Sequence, residues 1–157
     1  MAYLLAGPDV AADDVNQLLY TALAALADAA TVAPTGSTSS TSYVSSLTTS
    51  GATPAVTLTS RGSYAWVSIG VTCASSDASL RGHYTSVAIS GDTTTAANDA
   101  WAVRISATNA GIGLGGFRTI RMPITPGTNT YTVQHRMNAA LGGTGTFTAV
   151  DLTVFAP

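Results

Sequence analysis

From Ala55 to the end of the chain, apolar and polar residues alternate in short runs broken by Gly, Asn, Asp and Pro, and no helical repeat interrupts them. A period of two sends successive side chains to opposite faces, the pattern of a strand with one buried face. The runs are AVTLTS (55–60), SYAWVSIGVTCASS (63–76), LRGHYTSVAISG (80–91), WAVRISAT (101–108), FRTIRMPIT (117–125), TYTVQHRMN (130–138) and TFTAVDLTVFA (146–156). In the second, Ala65, Val67, Ile69, Val71 and Cys73 share one face, and Tyr64, Trp66, Ser68 and Thr72 the other. By the same parity Trp101, Val103, Ile105, Ile120, Met122, Ile124, Val150, Leu152 and Val154 point inward, and Tyr131, Val133, His135 and Met137 share a face. Seven or eight strands spaced by turns, without helices between them, predict a mainly β protein, an antiparallel β-sandwich or jelly roll.

The first third reads differently. Val15, Leu18, Leu19, Ala22, Leu23 and Leu26 recur at the three/four spacing of one helical face, with Asp13 and Asp14 in the first turn and Pro34 and Gly36 as the stop. A helix this short is marginal alone, so its Leu/Ala stripe must pack on the β body, on sister helices or on a docking surface. Residues 35–53 are nearly all Ser, Thr and Gly, the composition of a linker or arm, although Tyr43, Val44 and Leu47 are enough for a short edge strand. The expected organisation is an N-terminal anchoring or oligomerisation segment over 1–34, a Ser/Thr-rich linker over 35–53 and a β domain over 54–157.

Composition narrows the function classes. Charged residues are 9% of the chain against roughly 25% in ordinary soluble domains, while hydrophobic residues reach 46%. All six basic residues are Arg, all eight acidic ones Asp, and the net charge of −2 offers no basic stripe for nucleic acid. A polar-neutral surface with few charges suits a protein partly covered by neighbours. No apolar run approaches the ~20 residues of a membrane helix, and the opening residues lack the basic start of a secretory signal. Neither a membrane nor a nucleic-acid partner is expected. Cys73, the single cysteine, can form no intrachain disulfide and reads as a small buried hydrophobe.

No motif carries catalysis. Gly111, Gly113 and Gly116 satisfy GxGxxG literally, but the run that follows is a strand, whereas a dinucleotide site needs a helix N-terminus there; an inter-strand loop is expected. Gly142-Gly143-Thr144-Gly145 reads as a hairpin turn requiring positive φ. His83 and His135 are too few for a metal site, which wants three or four ligands, and read as packing or interface residues. Asp92 and Asp99 flank a loop without the EF-hand pattern, so turn capping is expected rather than calcium. No cofactor, metal or enzymatic activity is expected. Tyr43, Trp66, Tyr84 and Trp101 are candidates for a surface-binding aromatic patch, against the alternative of core packing.

The C-terminal run resembles small virion proteins of tailed phages of actinobacteria. The matching residues are Thr130, Tyr131, Thr132, Gln134, Arg136, Gly142, Gly143, Thr144, Gly145, Thr146 and Phe147, a strand leading through GGTGTF to a last strand as a hairpin. The opening Ala6-Gly7 with Ala11-Ala12-Asp13 and Asn16 is similar to the start of phage structural proteins, with departures at Pro8-Asp9 and Asp14-Val15. The resemblance implies an exposed β domain on a virion, commonly trimeric. The expected function is capsid decoration on the outer shell, with the major capsid protein and sister subunits as partners. The alternative is a minor tail or tail-tip protein contacting the host surface, with a host glycan as ligand. Anchoring or oligomerisation is then expected from Tyr3, Leu4, Leu5, Val15, Leu18, Leu19, Leu23 and Leu26.

Overall fold

The computed structural model describes residues 19, 22, 27–32, 36–48, 53–76, 81–107, 111–138 and 143–157. Among them are nine strands: β1 (Ala27–Val32), β2 (Gly36–Thr38), β3 (Ala55–Ser60), β4 (Tyr64–Ser75), β5 (Arg81–Gly91), β6 (Val103–Ala107), β7 (Leu114–Pro123), β8 (Gly127–Met137) and β9 (Gly145–Phe155). They form two antiparallel sheets. One runs β1-β9-β4-β7, with β2 also on β9; the other runs β3-β8-β5-β6.

One relation organises both sheets. Ala27 pairs with Phe155, Gly36 with Phe147, Ala55 with Thr132, Tyr64 with Pro123 and Arg81 with Ala107. The midpoint of every one of these pairs falls within Gly91–Thr94. The chain is thus one long antiparallel ribbon doubled back on itself and rolled so that β4 meets β9 and β5 meets β8. At the pivot Gly91 holds φ 113, and a Cβ there would lie 2.3 Å from the Thr128 carbonyl, which only glycine permits. Asp92 closes the bend by accepting the Thr128 amide at 2.6 Å.

The alternation forecast from sequence fills the space between the sheets. Val67, Ile69, Leu152 and Val154 from one sheet and Val87, Tyr131 and Val133 from the other are all sealed from solvent. Threonines line the outer faces, where Thr57 meets Thr130 at 2.9 Å and Ser68 meets Thr119 at 2.8 Å across strands, while the buried Thr85 has its hydroxyl paired inside.

Several expectations change. The stretch expected to close the helix, Ala27–Val32, is a strand along the last strand of the chain; a full row of hydrogen bonds to β9 outweighs the weak helical preference of ADAATV. Leu19 and Ala22 are helical and exposed; the rest of the expected helical stripe, Val15, Leu18, Leu23 and Leu26, and the expected anchor residues Tyr3, Leu4 and Leu5 lie outside the described residues. The expected linker is built into the sandwich: β2 pairs with β9, Val44 bridges to His135, and Leu47 packs on the core. The expected C-terminal hairpin is two strands in opposite sheets, because β8 partners β3 and β5 while β9 partners β1 and β4.

The glycine expectations shift too. Gly115 and Gly116 lie within β7 rather than in a loop, and a Cβ at Gly116 would come within 2.7 Å of Val103. Gly145 begins β9 without positive φ; its bare Cα admits Met137 Sδ and the His83 ring, at 2.2 and 2.7 Å from where a Cβ would sit. Overpacking a closed core costs about 1–3 kcal/mol. Gly145→Ala is therefore expected to lower stability by about 2 kcal/mol in urea unfolding, with an unchanged denaturant slope. Gly115→Ala, which meets nothing nearer than 3.7 Å, serves as the near-neutral comparison.

Candidate functional site

The outer face of the β3-β8-β5-β6 sheet carries a ladder of arginine and tyrosine. Tyr84 on β5 is the cross-strand partner of Arg136 on β8 and of Arg104 on β6. The Arg136 guanidinium lies over the Tyr84 ring at 3.9 Å, and Arg104 over the same ring at 5.5 Å. Tyr43 completes the row, with its ring 5.5 Å from Arg136 and its hydroxyl donating to Asp99 Oδ1 at 3.0 Å. Arg136 grips Asp99 with both edges of its fork, Nε to Oδ1 at 2.9 Å and Nη2 to Oδ2, while Nη1 donates to the Met137 carbonyl.

The electrostatics follow from that geometry. The Arg136 hydrogen bonds hold the Asp99 carboxyl below the usual carboxylate range. Burial first, and then the bond to Asp99, push the Tyr43 hydroxyl up to about 12, so it remains a protonated donor. With Arg136 engaged on Asp99, Met137 and two rings, the ladder is a clasp. It ties the 36–48 arm and the 92–101 loop to the sheet.

Of the four aromatics proposed from sequence, the structure brings together Tyr43 and Tyr84. Trp101 is half-buried against the core, and Trp66 stands on the outer face of the other sheet, 44% exposed. There it pairs laterally with Phe155 and Arg121, while Ala27 of β1 lies beyond Phe155. Sequence reasoning missed Phe155 and Phe117, whose outward positions strand parity already implied, and the Asp99–Arg136 pair, which no local pattern announces. Phe117 is 71% exposed, the most of any large hydrophobic among the described residues. It shares an open depression of about 480 Å³ with Gly70, Thr72, Gly115, Ala149 and Asp151.

The histidines lie between the sheets. His135 Nδ1 meets the Thr85 hydroxyl at 3.0 Å, its Nε2 has no hydrogen-bond partner, and its ring rests 4.3 Å from that of Phe147. His83 Nε2 faces the Ala74 carbonyl at 3.2 Å; a carbonyl only accepts, so that nitrogen carries a proton. Burial lowers the His135 pKa from 6.5 to about 3 and raises the Cys73 thiol to about 12. Among the described residues no three His, Cys, Asp or Glu side chains converge as a metal site. Asp92 and Asp99 are occupied by the Thr128 amide and by Arg136.

No protein-family model matches the chain, and no curated protein is significantly similar to it.

Two outcomes follow. Asp99→Ala is expected to cost about 1 kcal/mol, the scale of a half-exposed, solvent-screened pair, and less at high salt. Its sharper effect should be faster protease cleavage within residues 36–48, measured by mass spectrometry. His135 must stay neutral in the fold but binds a proton in the unfolded chain below pH 6.5. Stability is therefore complete above that pH and falls as pH drops toward about 3, by at most ~1.4 kcal/mol per pH unit. Urea midpoints between pH 7 and 4.5 should show this slope in the native protein and a shallower one in His135→Leu.

Proposed function

We propose that this chain is a structural protein of a virion exterior, a capsid decoration protein whose sandwich is a jelly roll. The strand order supports the jelly roll, since four nested pairs, β1 with β9, β3 with β8, β4 with β7 and β5 with β6, are what rolling a double ribbon produces. The observation that carries the docking role is where the N-terminal segment joins the body. β1 starts at Ala27, directly beside Phe155 and one strand from Trp66. Residues 1–26, with the leucine stripe, therefore attach next to the row Ala27, Phe155, Trp66 and Arg121.

An exposed tryptophan beside Phe155 and Arg121 is the composition that anchors interfaces, where aromatic and arginine residues are enriched and other charges depleted. The resemblance of both chain ends to phage virion proteins points the same way. Repeated copies on a shell would add affinity through multivalency without any single strong site. Stacking of this end on a capsomer leaves the opposite end of the sandwich outward.

In purified particles the protein is expected at a simple ratio to the major capsid protein by quantitative mass spectrometry. Deletion of residues 1–26, which spares β1, or Trp66→Ala should reduce particle binding at least tenfold. A few copies per particle would point to the tail instead, and absence from particles would overturn the virion reading.

A further inference from the structure

The depression on the β1-β9-β4-β7 sheet is the place where this fold departs from regularity. Between Gly70 and Thr72 the pairing of β4 with β9 slips: Gly70 faces Asp151, but Thr72 faces Thr148, so β9 carries one residue more than β4. The surplus is absorbed at Ala149, the one non-glycine with positive φ among the described residues, at 47°. A bulge of this type ordinarily places glycine there, and an alanine in the left-handed region costs of order 1 kcal/mol. Such strain concentrates where a surface is shaped for a ligand.

What the bulge shapes is a saddle. Gly70 has two lateral partners on the outer face, Phe117 on β7 and Asp151 on β9. Two strand spacings separate them, roughly 10 Å. The Asp151 carboxylate leans over the gap, its Oδ2 3.4 Å from where a Gly70 Cβ would sit. Further along, the Thr72 hydroxyl overhangs the bare backbone of Gly115, 3.7 Å from where its Cβ would lie. The floor thus has no side chain, one wall is an exposed aromatic ring, the other is a carboxylate, and a hydroxyl closes one end.

We propose that this saddle binds a neutral pyranose sugar. The C–H face of the ring stacks on Phe117, its hydroxyls donate to Asp151, and Thr72 supplies a further hydrogen bond. An apolar face with hydroxyls around its rim is what an aromatic wall opposite a carboxylate complements. Asp151 is the charged residue among those lining the depression, and its carboxylate oxygens are acceptors of the kind sugar hydroxyls donate to. Gly70 lies about 13 Å along β4 from Trp66, at ~3.3 Å per residue, so sugar binding and docking through the Trp66 row do not compete. The site stands on this geometry alone and does not depend on a virion setting.

The test is a ¹H–¹⁵N NMR titration of the full chain with methyl glycosides of glucose, galactose, mannose and N-acetylglucosamine. At least one is expected to shift the amides of Gly70, Thr72, Gly115 and Asp151. Phe117→Ala, at a site exposed enough to leave the fold intact, should weaken binding tenfold or more. Asp151→Asn should weaken it severalfold, and Gly70→Ala, whose methyl makes ordinary contacts, should weaken it by occupying the floor. Trp66→Ala should leave it unchanged. The proposal is overturned if none of the four glycosides shifts these amides, if Phe117→Ala binds as the native chain does, or if only acidic sugars or a lysine-rich peptide bind there.

Discussion

The pairing of the chain's last strand with its earliest one is the interaction on which the rest of the structure depends. β9 holds β1 and β2 along one edge and β4 along the other, so a single eleven-residue segment joins the earliest and the latest of the described strands to the middle of a sheet. Every nested pair inside that closure is centred on the same Gly91–Thr94 bend. The arrangement is costly to nucleate, because the outermost strands meet only after a loop of more than a hundred residues closes. It also explains why few charges suffice. Once both sheets are in place, alternating Val, Ile and Leu seal the interior, and cross-strand hydroxyl pairs cover outer-face positions that would otherwise carry charge.

What the sequence made legible was the property each strand carries by itself. The runs forecast at 55–60, 63–76, 80–91, 101–108, 117–125, 130–138 and 146–156 correspond to β3 through β9 with small shifts at the ends, because a buried face imposes alternation on every one of them. Strand partnership was not legible. Ala27–Val32 and Gly36–Thr38 have no alternation of their own and become strands because β9 offers a free edge. The GGTGTF run resembled a hairpin, yet its strands part into opposite sheets, a choice made by β4 and β5 and invisible locally.

The candidate surfaces divide along the same line. Tyr43 and Tyr84 could be named from sequence as aromatics, but the Asp99 and Arg136 side chains that hold them into one row belong to separate strands and a loop. Trp66 and Trp101 were named together as surface candidates, yet parity already set them on opposite sides, and the structure keeps the first outside and the second beside the core. Phe117 was within reach. With Ile120, Met122 and Ile124 inward, it had to face out, and its exposure then called for an explanation that packing does not provide.

The two sheets divide the work because their outer faces are finished differently. On the β3-β8-β5-β6 sheet the arginines are spent on rings and on Asp99, which leaves a surface fastened to its own arm and loop. On the other sheet Arg121 stacks on Tyr64, Phe155 and Trp66 stand exposed near the entry of the N-terminal segment, and Phe117 stands at the bulge. A single strand, β9, supplies both places, Phe155 at one and Ala149 with Asp151 at the other. The surplus residue in β9 decides their relation. Without it Thr72 would lie opposite Ala149, and the glycine-floored saddle would be paved by a regular ladder. The bulge therefore gives the strand that closes the fold its second role, and the left-handed alanine is the cost of that shape.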